Sequence, residues 1–238
     1  MTPPATKCWA VLPAAGVGSR MQQATPKQYL DINGVTLFEH SLAVLLGCPA
    51  VVQVAVALHP QDDFAHSLAI IADTRVITVT GAEQRSGSVL AGLRALQAVA
   101  APDDWVLVHD AARPCLETQS LETLIHAVLE LGVGGILAER LVDTVKQADA
   151  DTAGQTMVKQ TLDRTHLWRA QTPQMFRLGE LVDALESAAR TGVQITDEAS
   201  AMELAGHPVQ LVPGRPSNLK VTVPEDLALA AWYLEQRA

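Results

Sequence analysis

The sequence predicts an α/β chain with a mostly parallel, twisted sheet flanked by helices. Three observations carry this. Short Val-, Ile- and Leu-rich runs alternate with stretches of helical spacing, the pattern of successive βα units. Aromatics make up only 4% of a chain that is 48% hydrophobic, so the core is mostly aliphatic, as strands buried on both faces require. The first apolar run ends in a Pro/Gly loop, which marks a strand feeding a turn.

Taken in order, the periodicity gives a strand over 8–12, a helix over 36–46, a Val-rich strand over 51–58, a helix over 62–72 and a strand over 75–79. A helix over 86–99, a strand over 105–108, a helix over 120–131 and a strand over 135–138 follow. Such a succession implies a parallel sheet. Over 139–165 the pattern gives way to polar, β-prone residues with a turn at 150–154, and is read as a protruding hairpin arm. A second subunit would cover its apolar positions, although a free surface hairpin has the same pattern. Beyond it lie a short apolar segment over 168–176, helices over 178–190 and 197–205, and a strand pair over 209–212 and 219–221. A helix opened by Pro224 closes the chain. No repeat or low-complexity linker interrupts this order, so one domain over 1–238, including the arm, is expected.

Composition removes several function classes. The net charge of −9 argues against a nucleic-acid surface or an anionic membrane surface, both of which need a broad basic face. An anionic ligand must therefore find a local basic pocket. Cys8, Cys48 and Cys115 form no CxxC pattern and are odd in number, so they read as reduced thiols of a cytoplasmic protein. The N-terminus lacks the apolar stretch of a signal peptide, and the longest apolar run is broken by Gly47, Pro49 and Gln53.

Five segments carry chemistry. PAAGVGSRM, from Pro13 to Met21, follows a strand, and its Gly16 and Gly18 let backbone N–H groups wrap a triphosphate. Arg20, together with Lys27 of PKQYL, brings cations to that loop, as substitution at phosphorus requires. Met21 stands where a dinucleotide fingerprint has its third Gly, and no Walker pattern is present. A purely structural turn flanked by solvated cations is the plain alternative. In HDAARP, at a strand's carboxyl end, Asp110 suits Mg²⁺ or a ligand hydroxyl, or else caps a helix. His109 reads as a packed imidazole, since no metal-binding His pattern accompanies it. In GAEQRSGSV, Ser88 and nearby N–H groups suit a base or a phosphate, or cap a helix. In NLKVT, Lys220 lies within an apolar strand, where an unpaired ammonium is costly and a phosphate partner would satisfy it.

These segments, with DTVK, TLDRTHLWRAQTPQMF, TDEAS and NLKVTVPEDLALA in order along nearly the whole chain, resemble the 2-C-methyl-D-erythritol 4-phosphate cytidylyltransferase family of the non-mevalonate isoprenoid pathway. The resemblance implies a Rossmann-like nucleotidyltransferase fold with a β-arm for dimerisation. It implies transfer of CMP from CTP to 2-C-methyl-D-erythritol 4-phosphate with Mg²⁺, giving 4-diphosphocytidyl-2-C-methyl-D-erythritol and pyrophosphate. By the same resemblance, Arg20, Lys27 and Lys220 are catalytic. Pro13, Ala14, Ala15, Gly16 and Gly18 wrap the triphosphate, while Gly81, Ser88, Asp110 and Ala111 meet the rest of the nucleotide. Asp110 also serves the metal or the substrate hydroxyl. Arg113 and Thr172, with Thr144 and Arg164 reaching over from the other subunit of a homodimer, hold the sugar phosphate.

Three positions depart from the family pattern. Ala82 stands for a usual Gly and would be strained at positive φ, Ser217 stands where some members have Asp, and Ser86 replaces a commoner polar residue. Two rival functions stay open here: a cytidylyltransferase for another polyol phosphate such as ribitol 5-phosphate, against which PAAG rather than AGG argues, and a non-catalytic nucleotide-binding protein. A dehydrogenase fits less well, because the dinucleotide pattern is incomplete.

Overall fold

Alternation along the first strand, β1 (Cys8–Pro13), sends Ala10 and Leu12 into one core and Val11 into another. A sheet with both faces buried follows. The computed structural model describes residues 7–16, 26–149 and 156–237. Gly18, Arg20 and the turn expected at 150–154 lie outside the described residues.

A seven-stranded sheet has the order β11-β7-β10-β6-β1-β4-β5, formed by β4 (Val51–Leu58), β5 (Val76–Thr80), β6 (Trp105–Val108), β7 (Gly135–Arg140), β10 (Trp168–Arg177) and β11 (Gln210–Pro213) around β1. Every pairing is parallel except those of β10, which runs antiparallel between β6 and β7. The chain leaves β1 toward β4 on one side and returns to β6 on the other. The carboxyl ends of β1 and β6 thus flank a switch point, where open α/β sheets take ligands.

Helix α1 (Leu37–Gly47) begins at a Thr36/Glu39 capping box, and Phe38, Leu42 and Leu45 join the core that holds Leu12. Helices α3 (Arg85–Leu96) and α5 (Leu178–Thr191) bury Val89, Leu93, Leu181 and Leu185 in the core that holds Val11. Helix α4 (Thr118–Leu131) covers the first face, and α7 (Pro224–Glu235) opens with Pro at its start. The arm is a two-stranded hairpin, β8 (Val145–Ala148) paired antiparallel with β9 (Val158–Leu162). Among the described residues no helix is long and apolar enough to cross a membrane.

The helix expected over 62–72 is broken. It runs as α2 (Asp63–Ser67) and a 3₁₀ turn (Ala69–Ala72), with Leu68 extended between them. The Ser67 hydroxyl donates to Phe64 O at 2.7 Å, a local bond that competes with helix continuation. The strand expected over 219–221 joins no sheet. Val221 N donates to Ala112 O at 2.8 Å, so the segment crosses the mouth of the sheet and ties itself to the loop after β6. The apolar segment over 168–176 is the sheet's antiparallel strand. Its ladder with β7 slips between Ala170 and Gln174, and this bulge accommodates Pro173 inside a central strand. A further hairpin, β2 (Asp31–Ile32) with β3 (Val35–Thr36), turns at Asn33-Gly34, both at positive φ, a turn signalled by the Asn-Gly pair.

Candidate active site

Two cavities meet at the carboxyl end of β6 and share Arg85, Asp110 and Lys220 as a common wall. One continues along Pro13, Ala14, Gly16 and Lys27, and the other along Arg113, Gln171 and Thr172. A larger cavity beyond the Gly loop is lined by Asp62, Asp63, Tyr29 and Phe64 among the described residues.

Asp110 organises the common wall. Arg85 Nε donates to its Oδ1 at 2.8 Å, Lys220 Nζ sits 2.9 Å from its Oδ2, and Arg113 Nε lies 3.5 Å from Oδ2. Burial by itself would push the Asp110 carboxyl up. Arg85, Lys220 and Arg113 override that and hold it well below the usual carboxylate range, so it stays ionised. Arg85 also donates through both terminal nitrogens to Glu198, at 2.7 and 3.0 Å. Burial opposes the charge on Arg85, and its two carboxylate partners more than restore it. Three cations against two carboxylates leave the cluster one positive charge in excess. A chain of net charge −9 thus carries a local basic site.

The backbone of Asp110 is held from behind. Its N–H donates to Thr172 Oγ1 at 3.0 Å, and that hydroxyl lies 3.0 Å from His109 Nδ1. His109 Nε2 faces Arg113 O at 3.2 Å. A carbonyl only accepts, so Nε2 carries the proton and Nδ1 accepts from Thr172. Burial lowers the His109 pKa to about 4, and the ring is neutral at pH 7.

Lys220 reaches this wall because the segment bearing it is pinned at Val221 to Ala112, and because Arg113 donates to Asn218 O at 2.7 Å. On the other side, Gln28, buried, donates to Ala14 O at 2.8 Å and fixes the start of the Gly loop. Gly81 packs beneath that loop, where an added Cβ would lie 2.5 Å from Ala15 Cβ.

With this geometry in place, the family model of 2-C-methyl-D-erythritol 4-phosphate cytidylyltransferase matches residues 8–236. This chain belongs to that family. The family's enzyme from Ectopseudomonas mendocina (strain ymp) is 50% identical over 235 residues, 98% of this chain and 98% of its own. A solved structure described as a 4-diphosphocytidyl-2C-methyl-D-erythritol synthase aligns with a TM-score of 0.81 at 37% identity, covering 96% of this chain and 99% of its own. That of the Francisella tularensis cytidylyltransferase has a TM-score of 0.81 at 34% identity, covering 96% and 100%.

Of the residues that the resemblance to the cytidylyltransferase family singles out, Pro13, Ala14, Gly16, Lys27, Asp110, Ala111, Arg113, Thr172 and Lys220 line the two joined cavities. Lys220 is not unpaired, since Asp110 holds it, and its side chain is 35% exposed. The Ser88 hydroxyl bonds the backbone of Ala82 in both directions, at 2.9 and 3.0 Å, and so braces the loop before α3. Ala82 is not at positive φ, so the strain that its departure from the family pattern raised does not arise. Ser217 donates to Glu117 at 3.1 Å. Thr144 and Arg164 face each other at the base of the arm, 3.4 Å apart, and line neither cavity of this chain.

The motifs did not single out Arg85 and Gln28, which line these cavities, Gln171 and Gln174 beside Thr172, or Glu198, which pairs with Arg85. Arg85 stands inside GAEQRSGSV and Glu198 inside TDEAS, but nothing in either segment says that the two meet. Among the described residues no group of three His, Cys, Asp or Glu could hold a metal ion. Among the described residues the one carboxylate facing both cavities is Asp110, which three cations already contact. This donor set fits an ion brought chiefly by phosphate oxygens, because Mg²⁺ is commonly held by one or two carboxylates with waters and substrate phosphates.

Proposed function

We propose a division of labour along the Asp110 wall for the reaction of this family. The chain is a CTP-dependent cytidylyltransferase, which transfers CMP from CTP to 2-C-methyl-D-erythritol 4-phosphate in isoprenoid biosynthesis. A phosphate oxygen of the acceptor attacks the α-phosphorus of CTP. The bond to the bridging oxygen breaks, and pyrophosphate leaves with the electron pair. Little covalent chemistry falls to the protein, so catalysis rests on position and positive charge.

The carrying observation is the shared wall, with Lys220 and Asp110 facing both cavities. The cavity along Pro13, Ala14, Gly16 and Lys27 takes the triphosphate, to whose binding and turnover Ala15, Gly18 and Arg20 are assigned as well. Gly81, Ser88 and Ala111 shape the nucleotide side. The cavity along Arg113 and Thr172 takes the acceptor, and Lys220 contacts both phosphates at their junction. Asp110 orients Lys220 and would hold Mg²⁺ with the triphosphate oxygens, where the ion supplies charge neutralisation of the phosphates.

The 238 residues act as one nucleotidyltransferase domain. The arm exposes Val142, Met157 and Val158, apolar side chains that a second copy would cover in a homodimer. In that dimer, Thr144 and Arg164 of each subunit serve the other's acceptor cavity. The three buried free thiols fit a cytoplasmic location.

Pyrophosphate release from CTP and Mg²⁺ is the test, with methylerythritol phosphate, with ribitol 5-phosphate and with no acceptor. Release with methylerythritol phosphate alone is expected. Release only with ribitol phosphate, or with neither, would overturn the reading.

A further inference from the structure

Glu198 lines neither cavity, yet its carboxylate, at 1% exposure, is the most buried in any ion pair of the described residues. Its helix, α6 (Glu198–Leu204), is fixed at its start. An Asp197/Ser200 capping box closes the first turn, and the buried amide of Gln174 on β10 bridges Asp197 Oδ2 at 2.9 Å and Ala199 N at 2.8 Å. The Glu198 carboxylate therefore projects from a rigid mount.

The fork of Arg85 then transmits that position. A guanidinium is planar, so bonds from its two terminal nitrogens to Glu198 also set the direction of its Nε–H. That N–H meets Asp110 Oδ1 at 2.8 Å, which turns Oδ2 toward Lys220 Nζ. We infer that Glu198 and Arg85 are a positioning pair, which holds the Asp110 carboxylate in the rotation that aims Lys220 at the junction of the two cavities. Glu198 also occupies the two Arg85 donors that would otherwise compete with Lys220 for Asp110. The inference rests on the reading of Lys220 as the phosphate contact.

A plain structural ion pair would act on stability alone, because removing one partner of a buried pair leaves an uncompensated charge and weakens the fold without touching the reacting groups. The test is steady-state pyrophosphate release by full-length Glu198→Gln and Arg85→Lys, each alone and combined with Lys220→Ala, with melting temperatures measured alongside. Glu198→Gln keeps the shape and removes the charge. Arg85→Lys keeps the charge and removes the fork. Expected is a fall in kcat on the order of 10²-fold for either variant, as misplacement of a reacting group gives, with KM for CTP within about threefold. In the Lys220→Ala background the same changes should cost less than about threefold, because a residue acting through Lys220 has nothing left to position.

A wild-type-like kcat in both single variants, or a full loss that persists without Lys220, would overturn the inference. If Glu198→Gln fails to fold, Arg85→Lys carries the same test. A wild-type chain that releases no pyrophosphate with methylerythritol phosphate would instead remove the functional reading, and this inference with it.

Discussion

Lys220 Nζ rests 2.9 Å from Asp110 Oδ2, so the cation proposed to meet the phosphates is held by the one carboxylate that, among the described residues, is common to both cavities. The two residues should respond differently to removal. Lys220 is 35% exposed, and a pair of that kind contributes at most about 1 kcal/mol of stability. Lys220→Ala is expected to leave urea stability within about 1 kcal/mol and to lower turnover by about 10²–10³-fold. Asp110→Ala leaves Arg85, Arg113 and Lys220 with Glu198 alone, and should cost about 3–5 kcal/mol as well as activity. Equal destabilisation by the two variants would contradict this assignment.

Gly81 tests the support beneath the Gly loop, the proposed triphosphate cradle. A Cβ there would meet Ala15 Cβ at 2.5 Å and Ser88 Oγ at 3.0 Å, so Gly81→Ala must displace the PAAG backbone. Overpacking of this kind costs about 1–3 kcal/mol, and about 1.4 kcal/mol of it expressed in binding is a tenfold rise in the Kd for CTP. Acceptor affinity should stay unchanged. Titration calorimetry with each ligand decides, and an unaltered CTP affinity would show that the loop yields freely.

Arg164 and Thr144 sit together on the arm, away from both cavities of their own chain. If the arm serves a partner, Arg164→Ala weakens methylerythritol phosphate binding and leaves CTP binding nearly intact. Equal losses for both ligands in calorimetry would reject the division. Mixing Arg164→Ala with an inactive Lys220→Ala chain should also restore activity, since each mixed dimer contains one site with both residues intact.

His109 predicts a pH dependence of stability. Its folded pKa is lowered to about 4 by burial, against 6.5 for the unfolded ring. Above about pH 6.5 the ring is neutral in both states. Below that the unfolded chain binds a proton that the folded one refuses until about pH 4, so stability falls as pH falls across this window. The loss reaches about 3 kcal/mol at pH 4. Asp110, whose carboxyl is held low, adds its own loss only at lower pH. Urea titrations between pH 7.5 and 4.5 should show the slope in the wild type and a shallower one in His109→Gln. Parallel slopes would place the titration elsewhere.

Sequence by itself determined most of the order of elements and several of the segments that line the two joined cavities. The strands over 51–58 and 105–108 have the bounds that periodicity assigns, because aliphatic runs buried on both faces leave a local signature. The Gly loop, HDAARP and NLKVT were legible for the same local reason: each is a short segment whose residue types already state its chemistry. Tertiary structure alone decided the antiparallel insertion of β10, where Pro173 and the buried Gln171 and Gln174 disguise a central strand. It also decided the partners of the charges. Arg85 and Glu198 stand 113 positions apart, and only the path of the chain brings them within 2.7 Å. Periodicity reports which face of an element is buried, but which buried charge meets which is fixed by how the elements cross. For that reason Lys220, expected as a cation waiting for phosphate, is found as the last link of a chain from Glu198 through Arg85 and Asp110.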